Sequence, residues 1–321
     1  MTAQPPPTAT DLLAARAFIT QRYPRTPLYR APLLEREHGG ELWVKYENHG
    51  PIRSFKARGA LYRLSLLDED ERRRGVVTAS TGNHGQGIAY AGQLLGVPTV
   101  IAVPEGSPPL KTDNIRFLGG DLRVVGRTLS ESEHEARAIA AREGRLYLED
   151  GDDAGLMAGA GTVAWEILDQ LPDVGAIVVP VGGGNFISGV ALVAKRLRPD
   201  IRIVGVQSEA APAVYRSWQS KQLVEVPSAT FAGGIATSHP AALAFAVLKD
   251  AVDAMLLVSE DELRAGIVTA LSTTGQVVEG AGAAGFAALK QLAKDLPGTK
   301  TALILSGGNL PIEDLRTLLA R

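Results

Sequence analysis

Short apolar runs alternate with helix-patterned segments along almost the whole chain, and this alternation limits the fold more than any other feature. The apolar runs are continuous, which is typical of strands in parallel sheets that helices cover on both faces. The sequence therefore predicts an α/β fold. Strand candidates are Leu42–Tyr46, Val76–Ala79, Thr99–Val103, Leu122–Val125, Leu146–Leu148, Ala176–Pro180, Ile201–Val206, Met255–Val258 and Thr301–Leu305.

Helical patterns fill the intervals between these runs. The chain has 321 residues, no internal repeat and no obvious linker, so we expect two sheets in one interleaved chain rather than separate domains in a row. Helix candidates are Asp11–Tyr23, Phe55–Leu67, His84–Leu95, Lys111–Leu118, Glu131–Glu143, Thr162–Leu171, Phe186–Arg198, Ala242–Lys249, Glu260–Thr273, Ala281–Leu296 and Ile312–Leu319.

Composition excludes several classes of function. The chain has no cysteine, which excludes disulfides, a thiolate nucleophile and Cys-ligated metal centres. A net charge of −2 and the absence of a basic stripe do not favour nucleic acid. The apolar runs are shorter than the roughly 20 residues of a membrane span, and the first ten residues, MTAQPPPTAT, do not read as a signal peptide. We expect a cytoplasmic protein with no membrane partner.

Three segments rich in glycine or hydroxyl groups follow strand candidates: Ser80–Gly87, Val181–Gly189 and Ser306–Asn309. Ligands of open α/β sheets bind beyond the carboxyl ends of the strands, and helix N-termini there attract anions. The three glycines Gly182–Gly184 would let the backbone wrap around a phosphate, although they match neither a dinucleotide fingerprint nor a P-loop. Taken alone, each segment also fits a helix cap or a tight turn.

Lys56 is the candidate for covalent chemistry. In a helix that starts at Ser54, Lys56 shares the core-facing stripe with Ala60, Leu64 and Leu67. Burial and the positive helix end both favour the free amine that a Schiff-base lysine needs. A lysine that extends along the surface is the alternative interpretation.

These segments, together with SFKARGA at 54–60, resemble in order and spacing the fold-type II pyridoxal-phosphate enzymes, above all the serine/threonine dehydratase–serine racemase branch. The resemblance implies a tryptophan synthase β-subunit-like fold of two open, parallel-type twisted sheets with flanking helices. Residues 1–69 and 149–321 would form a large cofactor-binding domain, and residues 70–148 a small inserted α/β domain. It also implies a homodimer.

The resemblance further implies pyridoxal 5'-phosphate as cofactor, in a Schiff base with Lys56. Lys56 would also move the substrate Cα proton, and Phe55 and Gly234 would lie on the two faces of the ring. Asn83 would contact the 3-hydroxyl and Ser306 the ring nitrogen. The backbone N–H groups expected to hold the phosphate are those of Gly182, Gly183, Gly184 and Asn185, and the substrate carboxylate would be bound by Ser80, Thr81, Gly82 and His84.

Several positions depart from the family pattern, and most lie on the substrate side, which leaves the substrate open. Gln207 replaces a glutamate of metal-dependent relatives, so we predict no metal site. The other departures are PIRSFK for PTGSFK at 51–56, LEDG for HPFD around 148–151, AGG for ADG at 232–234, and EGAGA for EPAGA at 279–283.

Three functions are weighed. A serine beside the ring nitrogen is neutral and does not enforce its protonation, which favours prompt β-elimination. The leading hypothesis is therefore a lyase that converts serine, threonine or a 3-substituted serine to a 2-oxo acid and ammonia. A racemase is the second, because the Thr81 hydroxyl could act on the face opposite Lys56. The third is a non-catalytic α/β protein that binds anions in its glycine-rich loops.

Overall fold

A computed structural model describes residues 4–320 of the chain. None of the helices in that range is long and apolar enough to cross a lipid bilayer. The helices are α1 (Ala9–Arg22), α2 (Pro32–His38), α3 (Lys56–Ser65), α4 (Glu69–Arg74), α5 (Asn83–Leu95), α6 (Pro109–Phe117), α7 (Leu129–Glu143), α8 (Ala154–Gln170), α9 (Asn185–Leu197), α10 (Ala213–Ser220), α11 (Ala242–Ala251), α12 (Glu260–Thr274), α13 (Ala284–Ala287), α14 (Leu289–Asp295) and α15 (Ile312–Leu319).

The strands form two sheets. They are β1 (Leu28–Arg30), β2 (Leu42–Tyr46), β3 (Val76–Ala79), β4 (Thr99–Val103), β5 (Asp121–Val124), β6 (Leu146–Tyr147), β7 (Ala176–Pro180), β8 (Arg202–Ser208), β9 (Ala254–Val258) and β10 (Thr301–Leu305). One sheet has the order β1-β2-β10-β7-β8-β9 and the other β5-β4-β3-β6. Only β1 is antiparallel to its neighbour. The predicted α/β fold with two mainly parallel sheets is confirmed.

The larger sheet takes its strands from both ends of the chain, and the smaller sheet takes its strands from Val76–Tyr147 between them. Every residue of β3, β4, β7 and β10 is buried, because helices cover both faces of each sheet. The exact domain boundaries at residues 70 and 148 stay a prediction.

Glycines let the central helices approach one another closely. A Cβ atom on Gly59 of α3 would lie 2.8 Å from the carbonyl oxygen of Leu156 on α8. A Cβ atom on Gly161 of α8 would lie 2.6 Å from the carbonyl oxygen of Gly189 on α9. Because side chains at these positions would push the backbones apart, the glycines fix α3, α8 and α9 as one packed unit.

Helix α8 begins at Ala154, well before the predicted start at Thr162. Asp153 caps it by accepting a hydrogen bond from the Leu156 N–H at 2.9 Å. The run AGLMAGAG contains residues that weaken a helix in isolation, but tertiary packing requires their small size. The sequence also failed to predict β1, α2, α4 and α10, which are short elements with little periodicity. It predicted one helix over Ala281–Leu296, where the structure has the two short helices α13 and α14.

A group of four charged residues lies buried beneath α3. Arg58 donates from Nε to Glu47 Oε2 at 2.8 Å and from Nη1 to Glu166 Oε1 at 2.7 Å, and Lys45 Nζ donates to Glu166 Oε2 at 2.6 Å. The Lys45, Glu47 and Arg58 side chains are fully inaccessible. Burial opposes ionisation of Glu166, but Arg58 and Lys45 overcome it and lower the pKa of this carboxyl. The two cations therefore balance the two carboxylates, and α3 is fixed to β2 and α8.

Replacing Arg58 tests whether these buried ion pairs stabilise the position of α3. The Arg58→Met variant keeps much of the volume, but it leaves Glu47 with the Thr26 hydroxyl and no salt bridge, and it leaves Glu166 with Lys45 as its one remaining salt-bridge partner. We expect the free energy of unfolding to fall by about 3–5 kcal/mol, because an unpaired charge remains buried. Urea denaturation followed by circular dichroism measures it. The control is Arg73→Met, which removes an exposed pair with Asp70 and should cost below about 1 kcal/mol. Equal decreases in the free energy of unfolding in the two variants would refute this role of the ion pairs.

Candidate active site

The carboxyl ends of β3, β7 and β10 bring the predicted segments together at one cleft. Ser80 follows β3, Gly182 follows β7 and Ser306 follows β10. The chain before α3 reaches the same place, since the Phe55 N–H donates to the Ser306 carbonyl oxygen at 3.2 Å. The start of α3 is thereby attached to the end of the central strand β10.

Lys56 is the first residue of α3, and its side chain enters the cleft rather than the core. The predicted stripe partners Ala60, Leu64 and Leu67 are buried, but the Lys56 side chain is 24% exposed. Its Nζ donates to Asp150 Oδ1 at 2.5 Å and lies 5.5 Å from the centroid of the Phe55 ring. The sequence analysis expected Lys56 to point inward with this stripe, and the side chain is partly buried, because the first turn of α3 lies at the cleft edge. The amine is accessible to a ligand.

Asp150 is a site residue that the sequence analysis did not identify. It lies between β6 and α8, and its Oδ1 is 3.5 Å from Nδ1 of His84. Burial opposes its ionisation, but His84 and Lys56 outweigh that effect and lower the pKa of Asp150 to about 2. The available signal was the departure LEDG, which places a carboxyl group in a segment where the family pattern has HPFD.

His84 lies inside the protein. Its side chain is 3% exposed, and its Nε2 lies 3.1 Å from Thr78 Oγ1. Burial is the largest effect and lowers the pKa of His84, although the charge of Asp150 opposes this shift. Asp150 is therefore a carboxylate that faces one lysine and one buried imidazole.

The glycine-rich loop after β7 forms a cradle for an anion. Gly184 caps α9 with a φ of 98°, and a Cβ atom there would lie 2.6 Å from Leu248 Cδ2. The Gly182 carbonyl oxygen accepts from Gln207 Nε2 at 3.4 Å, and that of Gly183 accepts from the Ala241 N–H at 3.0 Å. Within residues 4–320, the N–H groups of Gly182, Gly183 and Gly184 donate to no protein group. Unpaired N–H groups at a helix N-terminus suit a phosphate.

Asn185, the fourth residue of the predicted cradle, has a second task. Its Nδ2 donates to the carbonyl oxygens of Gly151 at 2.8 Å and Asp153 at 3.3 Å. The Asn185 side chain therefore connects the glycine-rich loop after β7 to the segment that carries Asp150. Gln207, predicted only as the loss of a metal ligand, supports the same loop through Gly182.

Asn83, at the start of α5, belongs to a chain of polar side chains. Its Nδ2 donates to Glu279 Oε1 at 2.6 Å, and its Oδ1 accepts from Asn309 Nδ2 at 2.7 Å. Burial raises the pKa of Glu279, although the bond from Asn83 opposes this shift. Gly307 lies against this group, because a Cβ atom there would collide with Glu279 Oε1. Glu279 and Asn309 were not predicted as site residues.

The remaining predicted residues lie around the same cleft. The Phe55 ring stacks on Phe186 with centroids 3.8 Å apart, so one of its faces is already covered. Gly234 lies beside the glycine-rich loop after β7, since the Gly234 carbonyl oxygen would be 3.1 Å from a Cβ atom placed on Gly182. Ser80, Thr81 and Gly82 form the turn before α5, where Ser80 Oγ accepts from the Gly82 N–H at 3.2 Å. Their roles toward a ligand stay predictions.

These features fit pyridoxal 5'-phosphate. An accessible lysine can join its aldehyde, and the unpaired N–H groups of the glycine loop can hold its phosphate. The Ser306 side chain, which is buried directly after β10, carries a neutral hydroxyl that would suit the ring nitrogen.

Comparison with known proteins agrees with this geometry. Residues 19–307 match the family described as pyridoxal-phosphate dependent enzyme. The L-threonine ammonia-lyase of Thermotoga maritima is 38% identical over 95% of this chain and 76% of its own length. The L-threo-3-hydroxyaspartate ammonia-lyase of a Pseudomonas species is 36% identical over 92% of this chain and 93% of its own length.

The fold agrees as well. The structure of maize serine racemase superimposes with a TM-score of 0.92 at 28% identity, over 97% of this chain and 96% of that one. The family match, the identities and the shared fold all extend over nearly the whole chain. The protein is therefore a member of the pyridoxal-phosphate dependent enzyme family.

Proposed function

We propose that this protein is a pyridoxal-phosphate dependent ammonia-lyase. It removes the hydroxyl and amino groups of a β-hydroxy amino acid, such as L-serine, L-threonine or a 3-substituted serine, and releases a 2-oxo acid and ammonia. The observation that carries the proposal is the accessible Lys56 amine in a cleft that also holds the Gly182–Gly184 cradle. Relatives named as ammonia-lyases, at 36–38% identity, support it.

The reaction divides between the cofactor and the chain. When bound, pyridoxal phosphate supplies an aldehyde and an electron-withdrawing ring that acidifies the substrate Cα proton. The N–H groups of Gly182–Gly184 would hold its phosphate, and the amide of Asn83 would contact its hydroxyl group. Lys56 would take the Cα proton of the substrate, and the turn Ser80–Gly82 at the N-terminus of α5 would bind the substrate carboxylate.

Ser306 favours elimination. A carboxylate at this position would keep the ring nitrogen protonated and stabilise negative charge in the ring for longer. The Ser306 hydroxyl is neutral and provides less of that stabilisation. Loss of the β-hydroxyl directly after proton removal is therefore favoured over slower exchanges at Cα.

A racemase is the second candidate. The likeness to maize serine racemase supports it. So does Thr81, in the turn between β3 and α5, because its hydroxyl could deliver a proton opposite Lys56. A racemase releases the D-enantiomer without 2-oxo acid. A non-catalytic anion-binding protein, the third hypothesis, is disfavoured by the match to an enzyme family over residues 19–307.

Lys56→Ala tests the assignment of the amine. The wild type should be yellow, with a visible band that borohydride changes, and should release 2-oxo acid from L-serine or L-threonine. The variant should lose that band, and kcat should fall by at least about 10³-fold, because the base at Cα is gone. Lys195→Ala is the control, since Lys195 pairs with Asp253 on the surface. D-enantiomer without 2-oxo acid would support the racemase, and an unchanged variant would remove Lys56 from the chemistry.

Gly184→Ala tests the phosphate cradle. A residue with a side chain resists the φ of 98°, and its Cβ would collide with Leu248. We expect the Kd for pyridoxal phosphate, measured by equilibrium dialysis, to rise by about 10-fold or more. Gly39→Ala is the control, because Gly39 also has a positive φ, of 71°, with open space around it, and it should leave the Kd unchanged. Equal cofactor affinity in both variants would refute the proposal that the Gly182–Gly184 loop holds the phosphate.

We also propose that the protein acts in the cytoplasm, as the sequence analysis expects, and that it forms a homodimer, as the family resemblance implies. The chain mass is 33.8 kDa, so light scattering should give twice that value. A mass that stays at 33.8 kDa at micromolar concentration would contradict the dimer.

A further inference from the structure

The carboxylate of Asp150 lies beside the reacting end of Lys56 and has no assigned task in the elimination. Its Oδ1 is 2.5 Å from Nζ, and its side chain is 41% exposed. If Lys56 takes the Cα proton, Nζ must approach the substrate Cα. The Asp150 carboxylate, which lies next to Nζ, is then close to any group on the substrate Cβ.

The segment around Asp150 is held in place from three sides. Asn185 Nδ2 donates to the Gly151 carbonyl oxygen, Asp152 Oδ1 accepts from the Leu243 N–H at 2.7 Å, and Asp153 Oδ2 accepts from Arg63 Nε at 2.6 Å. Gly151 itself has a φ of 117°, which favours glycine. The backbone around Asp150 is therefore held in position when a substrate enters the cleft.

Two groups compensate the charge of Asp150, the Lys56 amine and the His84 ring. Lys56 is the only lysine or arginine that pairs with Asp150 among the described residues, and Lys56 has to give up its proton to act as a base. Burial lowers the pKa of His84, which weakens its contribution at neutral pH. The substrate α-carboxylate can be bound by N–H groups at the start of α5, whereas a carboxylate on Cβ would lie near Asp150, which has no further lysine or arginine partner among the described residues.

We propose that Asp150 selects substrates by charge: it admits β-hydroxy amino acids with uncharged side chains and repels those with a carboxylate on Cβ. The inference rests on the proposed function and narrows it. It places the substrate with serine and threonine and excludes 3-hydroxyaspartate, the substrate named for some relatives. Two carboxylates roughly 5 Å apart repel strongly enough to cost on the order of 10²-fold in affinity at an effective dielectric constant of about 20.

The test uses binding, so that it does not depend on turnover. L-Aspartate and L-asparagine have nearly the same shape, differ in charge and lack a β-hydroxyl. Their Kd values are measured from the change that each causes in the visible spectrum of the holoenzyme. In the wild type, we expect L-aspartate to bind on the order of 10²-fold more weakly than L-asparagine. In Asp150→Asn, the ratio should fall below about 10.

Two further variants control for the site and for the charge. Glu149→Gln removes the neighbouring carboxylate, which pairs with Arg137, and should keep the wild-type ratio. Asp150→Glu retains the negative charge and should also keep most of the wild-type ratio of the two Kd values. A merely structural role of Asp150 would change both affinities together and leave their ratio unchanged.

The outcomes separate the two proposals. A wild type that does not discriminate, or an equal ratio in wild type and Asp150→Asn, overturns the charge selection, even if serine and threonine still release 2-oxo acid. A ratio that depends on Asp150 supports it, even if no 2-oxo acid is released and the lyase proposal fails. If Asp150→Asn does not load cofactor, Asp150→Ser takes its place. A wild type that prefers L-threo-3-hydroxyaspartate to L-threonine overturns the inference without any variant.

Discussion

The buried ion pairs beneath α3 are the interaction on which the rest of the site depends. Charges are expensive to remove from water, and they are tolerated in an interior only when each is paired with good geometry. Arg58 meets that condition only where Glu47 and Glu166 are both within reach, which leaves α3 a single position against β2 and α8. Lys56 lies two residues before Arg58. Its placement at the cleft edge therefore follows from a charge balance formed on the far side of the same helix.

Close helix packing extends this rigidity to the ligand-binding loops. The glycine contacts between α3, α8 and α9 bring the segment before α8 and the glycine loop before α9 to the start of α3. Asn185 then joins those two loops through its side-chain amide. The lysine, the phosphate cradle and Asp150 consequently form one preorganised unit, which limits the entropy lost when cofactor and substrate bind.

Two carboxyl groups in this cleft have opposite pKa shifts. Asp150 faces Lys56 and His84, and its pKa is low. Glu279 is buried against the amide of Asn83, and its pKa is high because that neutral donor does not compensate for the loss of water. One fold thus lowers the pKa of the carboxyl group on the lysine side and raises the pKa of the carboxyl group beside Asn83. The environment, rather than the residue type, sets the difference.

The sequence alone determined the fold class, the central strands, the reactive lysine, the glycine loop and the cofactor family, because each depends on local periodicity or on a short motif whose chemistry allows few residue types. Tertiary structure decided the rest. It determined the early start of α8, which packing requires in spite of weak helix formers, and the partial exposure of Lys56. The contacts of Lys56 with Asp150 and of Asn83 with Glu279 join residues 94 and 196 positions apart. No local pattern encodes such distances, since they arise only when the sheets and helices pack and bring distant loops to one cleft.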